Sequence, residues 1–272
     1  VTRNEPELSW SGFDRAFYEY KSASGRASEP TAEGINTLSC FADDATVRER
    51  SELAARTRDG DPATSDRSDL DRSYVCPTQE SYRDGLLEMI EDAGQASGDV
   101  RLDDIGFPRA DYCHCERCTR QFADSEYDKW VTWRASAITE FLSVARDRVP
   151  GNLIVGLYPD PYPGHLYERA GIDLETIEPL VEEVVVPLYD TGYDTTYWLG
   201  SIASGFADRL DTRVSVELYA AVEIDALLAA TAAVEPYVES VLYGYDASTA
   251  RAAIRRRQAD DRDGVTHRPD EG

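Results

Sequence analysis

The residues with the most chemistry to offer sit together in "VRLDDIGFPRADYCHCERC", residues 100–118. Asp103 and Asp104 close an apolar run, and Cys113, Cys115 and Cys118 follow in a C-x-C-x-x-C spacing. Thiolates are soft ligands, and tetrahedral zinc takes four nitrogen or sulfur donors. The best fourth donor is Cys76, in "SYVCPTQESYR", just before a helical stretch and one βα unit upstream. His114 competes for that place, but its position between two cysteines turns it away. Cys40 ends an apolar strand and reads as a buried core thiol. Three cysteines within six residues are unlike a disulfide framework in a chain this long. A closed site of four cysteines leaves no position for water, so the zinc expected here is structural.

With the metal structural, chemistry falls to carboxylates. Glycoside hydrolysis needs two of them flanking the scissile bond, about 5–5.5 Å apart for retention and wider for inversion. The strongest candidates are Asp103 and Asp104, with Glu217 at the end of "RVSVELYA".

Six apolar runs position these groups: residues 35–41, 100–107, 152–160, 181–190, 213–220 and 238–246. Helical stretches alternate with them, the signature of a parallel sheet covered on both faces. A weaker strand candidate, ELSW or FYEY, lies near the start. The helix in "PTQESYRDGLLEMIEDAG" is expected to stop at Gly94, and another is expected over residues 120–148. No Gly-rich phosphate loop follows any strand, which argues against a nucleotide-binding sheet. The pattern predicts one (β/α)8 TIM-type barrel over residues 1–258, irregular or incomplete at its N-terminus, and a disordered acidic tail over 259–272.

The C-terminal ends of barrel strands form the active-site face. Four later strands end in acidic or aromatic residues. They offer Tyr158, Asp160, Asp190, Tyr219 and Asp246 as contacts to a substrate, with Arg101 two places before Asp103 and Tyr193 and Trp198 as sugar platforms.

The chain carries 52 acidic against 28 basic residues, a formal net charge of -24, and only two lysines, Lys21 and Lys129. Such a surface repels nucleic acid and anionic lipid, and it resembles proteins of salt-loving microbes. No apolar run reaches the roughly 18–20 residues of a membrane span. A cytoplasmic location is expected, with export left open because the chain begins at Val1.

"CPTQESYRDGLLEMI", "DDIGFPRADYCHCERCTRQF" and Trp130 together resemble the zinc-bearing barrel β-galactosidases of glycoside hydrolase family 42. The resemblance is specific over residues 74–130. It implies zinc at Cys76, Cys113, Cys115 and Cys118, with Asp104 where the family's acid/base glutamate stands. It also implies Asp103 at the family's asparagine and Glu217 at the strand-seven nucleophile. Asp-Asp stands where the family has Asn-Glu, and the chain is short for that family, whose members form oligomers. "LDDIGFP" also resembles the strand of a related group of uncharacterised glycosidase-like barrels, in which Asp103 is the key residue. Arg101-x-Asp103 is similar to the α-amylase-type pattern, where that aspartate is the nucleophile and Asp160 or Asp190 could supply the acid. The expectation is a glycosidase acting on a carbohydrate substrate, with a homo-oligomer open. The alternative is a non-catalytic carbohydrate-binding or scaffold barrel that keeps the zinc.

Overall fold

The structure, a computed structural model, describes residues 1–189 and 196–263. Seven strands form one wholly parallel sheet in sequence order: β1 (Phe17–Lys21), β2 (Ile35–Ser39), β3 (Val100–Asp103), β4 (Leu153–Gly156), β5 (Glu183–Leu188), β6 (Arg213–Tyr219) and β7 (Ser240–Gly244). The short early helices are α1 (Glu5–Leu8) and α2 (Asp44–Glu49); α3 (Glu80–Ser97), α4 (Glu116–Ala123) and α5 (Trp130–Arg148) follow. Then come α6 (Leu166–Ala170), α7 (Leu174–Ile177), α8 (Thr196–Ala207), α9 (Ile224–Val234) and α10 (Ala247–Asp263). FYEY, not ELSW, is therefore the first strand. None of these helices is long and apolar enough to cross a membrane.

The sheet curls as an incomplete TIM-like barrel. No ladder joins β1 to β7 among the described residues, but Val1 and Thr2 lie in that seam. The Thr2 amide donates to Phe17 O at 2.8 Å, Glu19 N donates to Thr2 O at 2.9 Å, and Val1 N reaches Tyr243 O at 3.1 Å. With the seam counted as a place in the ring, β3 and β6 stand fourth and seventh.

Strand side chains alternate between faces, and the two faces differ in kind. Leu102, Val155, Val184, Val186, Val216 and Leu218 pack outward in the main core under the helices. The opposite face carries a small separate apolar cluster of Phe17, Ile154, Val185 and Leu242. It also carries most of the strands' buried polar residues, namely Thr37, Arg101, Glu183, Ser215 and Glu217. Near the N-terminal ends of the strands, Arg15 grips Glu183 through both oxygens at 2.5 and 2.6 Å, and Ser215 donates to Glu183 at 2.5 Å.

Two helix expectations differ from the structure. Gly94 does not stop α3; a Cβ there would lie 2.8 Å from Pro150 Cδ, so packing requires the glycine. The helix runs on to Ser97, and Gly98 takes the cap with φ 83°. The stretch expected as one helix over 120–148 is two, α4 and α5, with the Ser125 hydroxyl bonding back to Phe122 O after α4 ends. The final helix continues to Asp263.

Candidate active site and metal centre

Arg101, on β3, is 1% exposed and faces the barrel interior over the Phe17 ring, 5.4 Å from its centroid. Its Nε lies 2.9 Å from Asp103 Oδ1 and its Nη1 lies 2.6 Å from Glu217 Oε2. A single guanidinium thus spans β3 and β6. Given those contacts and a guanidinium's width, the carboxylate oxygens are no more than about 8 Å apart, which does not exceed the widest separations that two-carboxylate glycosidases use.

Two glycines make room for these carboxylates. A Cβ on Gly156, at the end of β4, would collide with Asp103, and one on Gly244, at the end of β7, would lie 2.6 Å from Glu217 Oε1. Tyr189, just past β5, brings its hydroxyl to the same spot beside Gly244 and Glu217. Glu217 is wholly buried, and neither of its oxygens has a well-formed hydrogen bond.

Electrostatics separate the acids. Burial alone would raise the Glu217 carboxyl, but the opposing pull, chiefly of Arg101, holds it below the ordinary value. Burial raises Asp103 to about 6 despite the same arginine. Asp104 is also raised by burial, against the lowering effect of the Ser39 hydrogen bond.

Asp104 sits in the left-handed region with φ 53°, an uncommon state for a residue other than glycine. The two residues just past β2 fix that turn: Cys40 N donates to Asp103 O at 2.8 Å and Phe41 N to Asp104 O at 3.0 Å. The Ser39 hydroxyl lies 2.6 Å from Asp104 Oδ2. Lys21, one of the two lysines, is buried beside this turn, bonding Ser39 O at 2.8 Å and pairing with Asp43 at 3.1 Å. Cys40 is fully buried, as its place at the strand end predicts. Sequence reasoning missed Ser39 and Lys21, whose polar types at the ends of β1 and β2 were the available signal.

The other expected contacts fall into four groups. Tyr219 belongs to an aromatic wall, with Tyr245 4.9 Å away and Tyr189 5.0 Å beyond it. Tyr245 is 67% exposed and, at φ 73°, shares the left-handed backbone of Asp104. Tyr158 is exposed with the Arg169 guanidinium 3.5 Å above its ring, and Trp198 is exposed and perpendicular to Tyr197. Two carboxylates are engaged locally. Asp160 accepts from Tyr162 N at 2.8 Å, and Asp246 caps α10 by accepting from Ser248 N and Thr249 N at 2.9 and 3.0 Å. Asp190 and Tyr193 lie outside the described residues.

The ligand atoms of Cys76, Cys113, Cys115 and Cys118 lie within 4.8 Å of one another. The sulfurs of Cys76 and Cys118 are 3.3 Å apart and those of Cys76 and Cys115 are 3.8 Å apart. Zinc–sulfur bonds of about 2.3 Å place the corners of a tetrahedron about 3.8 Å apart, so the spacing fits a single metal ion. A hydroxyl and a backbone amide lie within hydrogen-bond distance of the sulfurs. The Thr78 hydroxyl is 3.2 Å from both Cys76 and Cys118, and Arg56 N donates to Cys113 at 3.2 Å. His114 is stacked flat on Trp130 at 4.5 Å, away from the cluster.

No family model and no curated protein matches the sequence. The fold is similar to the glycoside hydrolase domain of PgaB (BpsB) from Bordetella bronchiseptica, with TM-score 0.62 and 13% identity over 87% of this chain and 76% of that one. It is similar also to α-L-fucosidase isoenzyme 2 from Paenibacillus thiaminolyticus, with TM-score 0.63 and 12% identity over 92% of this chain. A third is Gan42B, a family 42 β-galactosidase from G. stearothermophilus, with TM-score 0.54 and 11% identity over 87% of this chain. The chain spans only 45% and 48% of the last two. At such identities the likeness establishes an incomplete TIM-like barrel fold and no particular family.

Proposed function

We propose that the protein is a glycoside hydrolase whose acid pair is drawn from Asp103 or Asp104 on one side and Glu217 on the other. The observation that carries this reading is the Arg101 guanidinium joining Asp103 and Glu217 across the end of the barrel where catalytic groups of this fold collect. Two acids in one site whose proton affinities are pushed apart are suited to opposite roles. Glu217, held ionised, attacks the anomeric carbon. Asp104 or Asp103, raised by burial, keeps a proton for the departing oxygen. Tyr189, Tyr219 and Tyr245 offer ring faces to a sugar beside Glu217.

The four cysteines would hold zinc. With four thiolates bound it keeps no open position, so it cross-links loops and adds no step. It would tie the segment after the two aspartates to the loop before α3.

The complete burial of Glu217 favours a second reading, a carbohydrate-binding barrel in which Arg101 and Glu217 are a structural pair. Hydrolysis of a panel of aryl glycosides in molar salt separates the two, with wild type compared with Asp104→Asn, Asp103→Asn and Glu217→Gln. Activity lost in Glu217→Gln and in one aspartate variant supports the hydrolase. Activity unchanged in all three, or absent from folded wild type on every glycoside, sinks it.

A further inference from the structure

Ser39, the last residue of β2, is buried, and its hydroxyl oxygen has two oxygens within hydrogen-bond distance. Asp104 Oδ2 lies at 2.6 Å and Ala42 O at 2.9 Å. A hydroxyl has one proton to donate, although it can accept twice. Ala42 is fully buried, and among the described residues nothing else donates to its carbonyl.

One proton can serve these two oxygens in two ways. If Ser39 donates to Asp104, the contact favours an ionised carboxylate and leaves Ala42 O bare in the interior, which is costly. If Ser39 donates to Ala42 O, Asp104 must bring the proton to the 2.6 Å contact, and it can do so only when protonated. The second arrangement leaves no group unpaired. Asp103 is placed differently: its Oδ1 faces Arg101 Nε at 2.9 Å, a charged donor that favours the ionised form.

We propose that Ser39 is a positioning residue that stores the proton of the candidate active site on Asp104 rather than Asp103, by turning its hydroxyl between Ala42 O and Asp104. The proposal rests on the reading that one of these aspartates is the acid of a hydrolase. While Asp104 is protonated, Ser39 accepts from it and donates to Ala42 O. When Asp104 has given its proton to the departing oxygen, the Ser39 hydroxyl turns to the carboxylate, and Ser39 itself neither gains nor loses a proton. The turn at φ 53°, tied by the Cys40 and Phe41 amides, holds Asp104 in place for both states.

The charged and titratable groups within electrostatic reach of Asp104 come from several elements. They are Lys21 from β1, Cys40 beside Ser39, Arg101 and Asp103 from β3, Arg72 and Tyr74 from the loop before α3, and Tyr82 from α3. The cations favour an ionised Asp104, but Lys21 is paired with Asp43 and Arg101 with Asp103 and Glu217. Arg72 is exposed, so solvent screens it. Burial outweighs their pull and leaves the Asp104 carboxyl raised.

The test is a carbon-13 NMR titration of wild type that follows the Asp104 carboxyl and the Ala42 carbonyl. Asp104 should titrate above the ordinary aspartate value of about 3.9. The Ala42 carbonyl should shift with the same midpoint, because the hydroxyl leaves it there. Asp43, next to Ala42, is held below its ordinary value, so its own effect falls at lower pH. An Ala42 carbonyl that stays still through the Asp104 midpoint overturns the proposal. Variants then read the sign. Ser39→Ala should lower the Asp104 midpoint by about 0.5–1 pH unit, since the protonated form loses its acceptor. A hydroxyl that served only the ionised form would raise the midpoint on removal, so a rise or no change overturns the proposal. Ser39→Thr keeps the hydroxyl and should stay near wild type; a shift equal to that of Ser39→Ala would mark a packing role and overturn it too. On aryl glycosides, kcat/KM should fall as pH rises through the Asp104 midpoint, and that limb should move to lower pH in Ser39→Ala alone. Folded wild type that cleaves no glycoside sinks the hydrolase reading and the proton's use in it, whereas a still Ala42 carbonyl in an active enzyme sinks the proposal alone.

Discussion

Arg101 and Glu217 form an ion pair of 2.6 Å between β3 and β6 with no water-exposed side, since the arginine is 1% exposed and the glutamate 0%. Removing one member of such a pair strands the other charge. Arg101→Met should therefore lower stability by about 3–5 kcal/mol. The exposed pair of Arg3 with Glu19 supplies the contrast, and Arg3→Met should cost under about 1 kcal/mol. Denaturant unfolding of both variants checks the difference; equal losses would contradict it.

Acidity should divide the carboxylates. Asp103 is raised from 3.8 to about 6, so the folded protein binds its proton more tightly than the unfolded chain does. Its contribution to stability is full below about pH 4 and fades as pH rises through about 6. Glu217 is lowered, so its contribution runs the other way and is lost as pH falls through its folded value. If Asp103 supplies the proton in catalysis, kcat/KM falls as pH rises through about 6, and Asp103→Asn abolishes that limb of the profile.

Gly156 and Gly244 should resist even alanine. A methyl at either position meets a carboxylate, Asp103 or Glu217, that must leave its Arg101 contact to admit it. Each substitution should cost about 1–3 kcal/mol and reduce activity together with stability. Gly85, exposed within α3 with nothing inside 4 Å of its missing Cβ, is the control. Gly85→Ala should stabilise by about 0.5–1 kcal/mol. Thermal melts and aryl glycoside kinetics on the three variants check the contrast.

Salt should stabilise the fold. With a net charge of -24, self-repulsion opposes compaction at low ionic strength. Raising salt from about 0.1 to about 1 M shortens the screening length from about 10 to about 3 Å. The unfolding midpoint should therefore rise with sodium chloride, and a flat or falling midpoint would contradict salt adaptation.

The sequence by itself made most of the elements and the cysteine cluster legible. Strands β2 to β7 were legible because near-continuous apolar runs are what a two-sided parallel sheet requires. The four cysteines were legible because thiols at C-x-C-x-x-C spacing form one local loop, and Cys76 lies at the start of the helix that packs beside it. Asp103, Asp104 and Glu217 were legible as acids at or near strand ends, the edge of a barrel where functional side chains collect.

Only the tertiary structure decided what those groups are to one another. Which residues of β3 and β6 face inward depends on how the sheet curls, and the sharing of one guanidinium by Asp103 and Glu217 depends on strands 110 residues apart in sequence. The Asp246 carboxylate became a helix cap because Ser248 and Thr249 amides reach it first. Gly94 reads as a helix stop in the sequence, and nothing there marks Gly156 or Gly244. In the fold they are places where a neighbour leaves no room for a methyl group, and that constraint comes from packing density rather than local propensity.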